Sequence, residues 1–313
     1  MSFMHALRSQ AALRPRRVLL PEAHDPRVIE AAGWLAINQL AHPVLLTRPP
    51  VPVAGIESLA DIPDAAVWHK RVDETIDGLL ANKSAQEIDA AKSEPLLRAA
   101  VLLRLGYADA VVTGSIATTA HVLRCGLRGV GLAPDSKLVS SVFLMEWRDR
   151  VLSFADCAVV PDPDPTQLAQ IAITTAASHQ RITGEAPRVA MLSFSTHGSA
   201  SHARASKVIE ATKIARSMVP GLALDGELQF DAALLPAIGE KKAPGSKVAG
   251  HANVFIFPDL DAGNIGYKIA ERLGGANAIG PVLQGLARPW MDLSRGCKPD
   301  DIVNVAVIAA GLA

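Results

Sequence analysis

Cysteine is scarce in this 313-residue chain, where Cys125, Cys157 and Cys297 form no CxxC pair and no metal-ligand spacing. So odd and sparse a set fits a reducing compartment better than a disulfide framework. Charge of one sign is not in excess either, since 31 Lys and Arg balance 31 Asp and Glu. Nucleic-acid and membrane-surface binders carry a basic surplus, so neither partner is expected. The longest apolar runs, such as Val151–Val160, are interrupted and far too short for a bilayer. There is no GxGxxG, no GxxxxGK followed by Ser or Thr, and no GxSxG. Those absences remove the usual dinucleotide site, P-loop and serine-hydrolase elbow. Internal repeats and low-complexity segments are missing as well.

What is present suits a well-buried globular protein: 49% hydrophobic and 20% charged residues. The length allows two domains or one large α/β unit. Arg8, Arg14, Arg16 and Arg17 crowd the first seventeen residues without an acid. The expectation is a surface helix feeding the strand at Val18, rather than a transit peptide, in a cytoplasmic protein. Arg17–Leu20 predicts a buried strand, Val28–Gln39 a helix and Pro43–Thr47 a second strand, a unit that builds parallel sheets. Lys83–Leu105 predicts one long helical region. Ala108–Gly114 predicts a strand, and Ser115–Leu123 a further helix with Thr118, Thr119, His121 and Arg124 near its ends. Lys137–Met145 and Val151–Val160 predict an antiparallel pair around the polar turn Glu146–Arg150. Strands at Val189–Phe194, Val254–Phe257 and Asn277–Gly280 alternate with helices at Thr166–Ile182, Lys207–Met218 and Gly266–Leu273. Glu227–Leu235 is a strand or a short helix. The fold class is therefore α/β, mostly parallel, in two domains.

Ligands of such sheets sit beyond the carboxyl ends of strands. Five polar clusters lie there: Thr113–Arg124, Ser193–Ser201, Gly226–Asp231, Pro258–Lys268 and Asp292–Asp301. Ser193–Ser201 is dense in hydroxyls, which suit N-caps as well as a phosphate cradle. In Pro258–Lys268, two acids follow a strand, but no third or fourth metal ligand accompanies them. Gly263 and Gly266 allow close backbone approach, and Asn264, Tyr267 and Lys268 can hydrogen-bond a ligand. Asp292–Asp301 holds a hydroxyl, a guanidinium, a thiol and an ammonium ahead of the apolar helix Ile302–Ala310. Pro299 suits the first turn of that helix, whose free N–H groups beside Arg295 make a plausible anion site. Cys297 has Arg295 and Lys298 as sequence neighbours, yet no nearby histidine, and is expected to be a bystander.

Read together, these clusters resemble one family, the phosphate acetyltransferases (phosphotransacetylases), which move an acyl group between acyl phosphate and coenzyme A. The matching segments are Leu20–Arg27, Met191–Thr196 with Gly198–Ala200, Gly226–Ala233 and, most specifically, Ala252–Lys268. The likeness continues through Gly280–Gly285 to Asp292–Cys297 and Asp301–Val303, and is weak between residues 48 and 100. It implies two α/β domains around a cleft, similar to the isocitrate/isopropylmalate dehydrogenase group. The first would comprise residues 1–137 plus 283–313, the second 138–282, with the last helix returning to the first domain. A homodimer is also implied, with acyl phosphate and coenzyme A as substrates and neither metal nor tightly bound cofactor. By position, Ser294, Arg295 and Asp301 would be catalytic. Arg124, Thr118, Thr119, Asn264, Tyr267, Lys268 and Gln284 would bind substrate. Three departures bear on substrate preference: Ala117-Thr118-Thr119 where the family has His-Ser-Thr, His197 where it has lysine, and Met291 where it has asparagine.

The chemistry fits these residues. Arg295 can grip phosphate in a bidentate fork, and Ser294 can donate to a developing oxyanion. Asp301 is the candidate base for the coenzyme A thiol. Complete proton transfer from an ordinary thiol to an ordinary carboxylate is uphill by roughly 6 kcal/mol. Either Asp301 is desolvated and its pKa raised, or proton removal is concerted with attack, or Arg295 and other cations lower the thiol pKa while Asp301 mainly orients. The same chemistry on propanoyl or butanoyl phosphate, and a non-catalytic acyl-CoA-sensing domain, are the competing expectations. An oxidoreductase on the same fold lacks its nucleotide fingerprint.

Overall fold

The computed structural model describes residues 2–313. By internal contacts the chain forms two units, Met1–Pro134 with Leu286–Ala313, and Asp135–Gly285. No described helix is long and apolar enough to cross a membrane.

The first unit opens with α1 (Phe3–Leu13), β1 (Arg16–Leu20), α2 (Pro26–Ile37), β2 (Ala41–Leu45) and the two-residue β3 (Glu57–Ser58). It continues with α3 (Ala65–Leu79), α4 (Ala85–Lys92), α5 (Pro95–Arg104), β4 (Ala110–Thr113) and α6 (Thr119–Gly129). Where the sequence predicted one helix over Lys83–Leu105, there are two. Pro95 is the reason: it disfavours helical backbone at Glu94, which instead becomes the extended N-cap of α5 with ψ 112°. The helix predicted from Ser115 begins only at Thr119, because Thr118 is its extended cap.

The second unit runs through β5 (Ser140–Glu146), β6 (Val151–Ala155), α7 (Pro165–Thr183), β7 (Arg188–Leu192), α8 (Ala203–Met218) and β8 (Ala223–Leu228). Then come α9 (Phe230–Leu234), α10 (Pro236–Lys242), β9 (Val254–Ile256), α11 (Leu260–Arg272) and β10 (Asn277–Gln284). Glu227–Leu235 thus splits between the end of β8 and α9. β10 runs four residues past its predicted end at Gly280, through a register shift between Ile279 and Val282 that accommodates Pro281. The chain then re-enters the first unit with β11 (Trp290–Asp292) and α12 (Pro299–Gly311).

The sheet of the first unit has the order β11-β4-β1-β2-β3 and is parallel throughout. Its centre is a run of fully buried side chains, Val18 to Leu20 on β1 and Ala110 to Val112 on β4. Parallel strands covered on both faces need such continuous apolar runs. α12 is buried along Ile302–Ala310, as a helix apolar all round must be. Trp290 is wholly buried and donates its indole N–H to the carbonyl of Val122 on α6 at 3.1 Å. The sheet of the second unit has the order β10-β5-β6-β9-β7-β8. Its β6-β9-β7-β8 part is parallel, and the predicted β5–β6 pair is antiparallel, as is β10 on β5. Phe143, Phe154, Phe255 and Phe257 anchor its core.

Candidate active site

In the first unit β11, β4 and β1 are neighbours, so the loops after their carboxyl ends meet. Glu22, just past β1, is only 4% exposed. Its carboxylate accepts from the Ser115 N–H and hydroxyl and from the N–H groups of Ile116 and Ala117, at 2.8 to 3.0 Å. Four donors offset the cost of burying that charge and tie the loop after β4 to the loop after β1.

A second tie runs through Arg27. Asp25 caps α2 by accepting from the Arg27 N–H at 2.9 Å, and its other oxygen pairs with Nη2 at 2.8 Å. Burial pushes the Asp25 pKa up, but the hydrogen bonds from Arg27 outweigh it and hold the group below its ordinary value. The guanidinium of Arg27 then donates to three main-chain carbonyls: Arg295 at 2.8 Å, Cys297 at 2.9 Å and Ser115 at 2.9 Å. One arginine therefore fixes the turn after β11 against the turn after β4. The sequence contained Arg27 only as the last residue of a matching segment; its distance of 268 positions from Arg295 hides the contact.

The turn after β11 presents the three residues expected to be catalytic. Ser294, Arg295 and Asp301 are all exposed. Ser294 Oγ accepts from the Gly296 N–H at 3.3 Å, which leaves its own O–H free to donate. Among the described residues no carboxylate lies within ion-pair reach of the Arg295 guanidinium, so its fork is open to an anion. Asp301 stands in the first turn of α12, is exposed, and accepts from the Lys298 N–H through Oδ2 at 2.8 Å. Asp300, beside it, is taken by Arg8 at 2.6 Å.

Cys297 is buried, and burial pushes its thiol up to about 11, with Arg27 pulling the other way. Its sequence neighbours Arg295 and Lys298 are not among the causes; Arg27, whose Nη1 is 3.9 Å from Sγ, is the cation that reaches it. A neutral, inaccessible thiol is a poor nucleophile. Asp292, only 2% exposed, has an Oδ1 without a hydrogen-bond partner. Burial raises its pKa to about 6, the Thr119 hydroxyl lowers it, and the charge of Glu22 raises it further. Gly114, with φ +94°, must be glycine: a Cβ there would strike Asp292 Oδ1 and stand 2.7 Å from the Leu293 nitrogen.

Thr118 accepts from the His121 N–H at 3.3 Å as the cap of α6, and Thr119 beside it is exposed. Arg124, also exposed, is one turn further along α6 and lines a pocket of about 400 Å³ with Lys83, Glu94, His121 and Arg128. That lining includes no residue of the turn after β11.

The remaining predicted residues belong to the second unit. Asn264 donates to the carbonyl of Cys157 at 3.0 Å and accepts from Lys268 Nζ at 2.7 Å. Gly263 lets α11 approach that strand end, since a Cβ would strike the carbonyl of Asp156. Tyr267 stacks on Phe143 with ring centroids 4.1 Å apart. Gln284 is buried, and its amide is spent inside the protein on Ser140, Thr175 and Ser178 at 2.7 to 2.9 Å. In Ser193–Ser201, Ser195 and Thr196 are buried, Ser195 donating to Glu227 at 2.8 Å and Thr196 accepting from the Gln229 N–H at 2.9 Å. His197, at φ +45°, faces Asp225 at 3.3 Å.

The chain resembles known proteins along its length. The family model described as Phosphate acetyl/butaryl transferase matches residues 2–310. A phosphate acetyltransferase of Paracoccus denitrificans is 47% identical over 306 residues, covering 94% of each chain. One from Thermoanaerobacterium thermosaccharolyticum is 42% identical over 325 residues, covering 99% of each. The crystal structure of a phosphotransacetylase from Streptococcus pyogenes superposes with a TM-score of 0.90 at 38% identity, over 99% of this chain and 97% of that one. Matches of this extent and identity place the chain in the phosphate acetyl/butaryl transferase family.

Proposed function

We propose that this member of the family carries out its reaction, reversible acetyl transfer between acetyl phosphate and coenzyme A, by direct attack of the coenzyme A thiolate in a ternary complex. The observation behind this reading is the turn Asp292–Asp301, which exposes a free serine O–H, an unpaired guanidinium and a carboxylate oxygen on one rigidly held segment. Arg295 grips the phosphate oxygens and stabilises the charge that grows as phosphate leaves. Ser294 donates to the carbonyl oxygen as it becomes an oxyanion. Asp301 takes the thiol proton in step with attack, because complete prior transfer to a carboxylate is uphill by roughly 6 kcal/mol. The sulfur–carbon bond forms, the bond from carbonyl carbon to bridging oxygen breaks, and that oxygen departs with the phosphate. No enzyme nucleophile is needed, in keeping with the buried Cys297.

Arg124, the cap Thr118 and its neighbour Thr119 are proposed to meet the anionic substrates, and Asn264, Tyr267 and Lys268 to contribute polar contacts. Gln284 is kept in that set as a proposal, its amide bonded on both ends within the protein. A homodimer and cytoplasmic placement, both implied by the family, belong to the same proposal.

Thioester formation from acetyl, propanoyl and butanoyl phosphates with coenzyme A tests it directly. Turnover on acetyl phosphate that is abolished in Arg295→Ala supports the reading. A preference for butanoyl phosphate would shift the acyl group without changing the chemistry, and no turnover on any of the three would leave only acyl-CoA sensing.

A further inference from the structure

Apart from the turn after β11, one cluster of ligating side chains stands out in the first unit. Glu94, His121 and Cys125 place a carboxylate oxygen, an imidazole nitrogen and a thiol sulfur within 4.8 Å of one another. His121 Nε2 is 3.1 Å from Glu94 Oε1 and 3.8 Å from Cys125 Sγ. We propose that these three residues form a binding site for a zinc-class divalent cation.

The local fold sets the donors. His121 and Cys125 are one helical turn apart on α6, so their side chains lie on the same face. Glu94 comes from the kink before Pro95, and its carboxylate is steered by accepting from the Leu96 N–H at 3.2 Å. Tetrahedral zinc, with bonds near 2.0 Å to nitrogen, about 2.1 Å to oxygen and about 2.3 Å to sulfur, needs donor-to-donor edges of roughly 3.3 to 3.6 Å. The two separations from His121 bracket that range, and the Glu94-to-Cys125 edge, within 4.8 Å, has to close by about 1.2 Å at most.

The donor chemistry selects the ion. One thiolate and one imidazole favour zinc and its neighbours over calcium or magnesium, which require several oxygens. A thiolate, a carboxylate and a neutral imidazole also sum to the charge that a divalent cation cancels. A coordinating thiol is deprotonated, so the cation displaces the Cys125 proton on binding. All three residues line the pocket of about 400 Å³ on this face, which gives the ion an entry path and room for a water as fourth ligand. The sequence hides the site because the carboxylate comes from a different helix start than the His–Cys pair.

Cobalt(II) titration of the full-length protein is the test, read by the thiolate-to-cobalt charge-transfer band and the intense visible bands of tetrahedral cobalt. The wild type is expected to bind one cobalt with that band, to lose it to added zinc, and to release one proton. Cys125→Ser abolishes the band although Cys157 and Cys297 remain. Glu94→Gln, which keeps an acceptor for Leu96, weakens binding at least tenfold, the least that even an outer partner of a metal ligand costs. Absence of a thiolate band with excess cobalt would overturn the proposal and leave a hydrogen-bonded His–Glu pair beside an inert thiol. So would a band that survives Cys125→Ser, or an affinity unchanged in Glu94→Gln. Should Cys125→Ser not fold, the glutamine variant decides alone.

Discussion

Arg27 Nη1 donates to the main-chain carbonyl of Arg295 at 2.8 Å. The residue proposed to grip phosphate is thus itself held by a second arginine from the loop after β1. Removing the holder leaves Ser294 and Arg295 in place chemically but free to wander. A displacement near 1 Å costs on the order of a hundredfold in rate. Arg27→Ala is accordingly expected to lower kcat by about that factor and to destabilise the fold by ~2 kcal/mol, because buried Asp25 loses its partner. Arg27→Lys keeps the charge but cannot bridge three carbonyls, so it should recover stability more than rate. Steady-state thioester formation alongside urea unfolding separates the two; a lysine variant with wild-type kcat would refute the positioning role.

Asp301→Asn tests the proton acceptor. Asparagine Oδ1 still accepts from the Lys298 N–H, so the start of α12 is preserved and stability should move by no more than about 0.5 kcal/mol. Loss of a general base costs on the order of 100-fold or more in kcat. A turnover number that does not change would remove Asp301 from the mechanism.

Cys297→Ala bears on the covalent alternative. The thiol is buried, and burial holds it up at about 11, so a direct ternary mechanism predicts nearly unchanged turnover. The lost sulfur leaves a small void beside Arg27, worth about 1 kcal/mol of stability. Abolished activity in a variant whose denaturant midpoint falls by no more than that small loss implies would restore an acyl–enzyme route.

The strands and most helices were legible because their apolar runs are long and their breakers plain. Val254–Ile256 is one such run, and Pro95 is the breaker that splits the helix predicted over Lys83–Leu105. The polar turn at Asp292–Asp301 was legible as chemistry. What holds it was not, since Glu22 and Arg27 act on loops 93 and 268 positions away. Gln284 shows a second limit: nothing in its residue type or spacing reveals that its amide is bonded to Ser140 and Thr175. Residue type and spacing identify donors, and only the packed structure reveals which are already satisfied.

Asp292 carries the clearest pH prediction. Its carboxyl has an ordinary pKa of 3.8 when unfolded and one raised to about 6 in the folded protein, chiefly by burial. Between those values the native state holds a proton that the unfolded state has released, so stability falls as pH rises through the window. The difference corresponds to ~3 kcal/mol of destabilisation, fully present above about pH 6 and absent below about pH 4. Asp292→Asn removes the titrating group. The stability of the variant minus that of the wild type should therefore climb by ~3 kcal/mol from pH 4 to pH 7 and then level off. Urea unfolding followed by tryptophan fluorescence suits the measurement, since Trp34, Trp68 and Trp290 belong to the same unit as Asp292 and only Trp147 does not. A difference curve that stays flat across that range would mean the buried carboxyl gains a compensating partner in solution. A curve of opposite sign would mean it is held ionised.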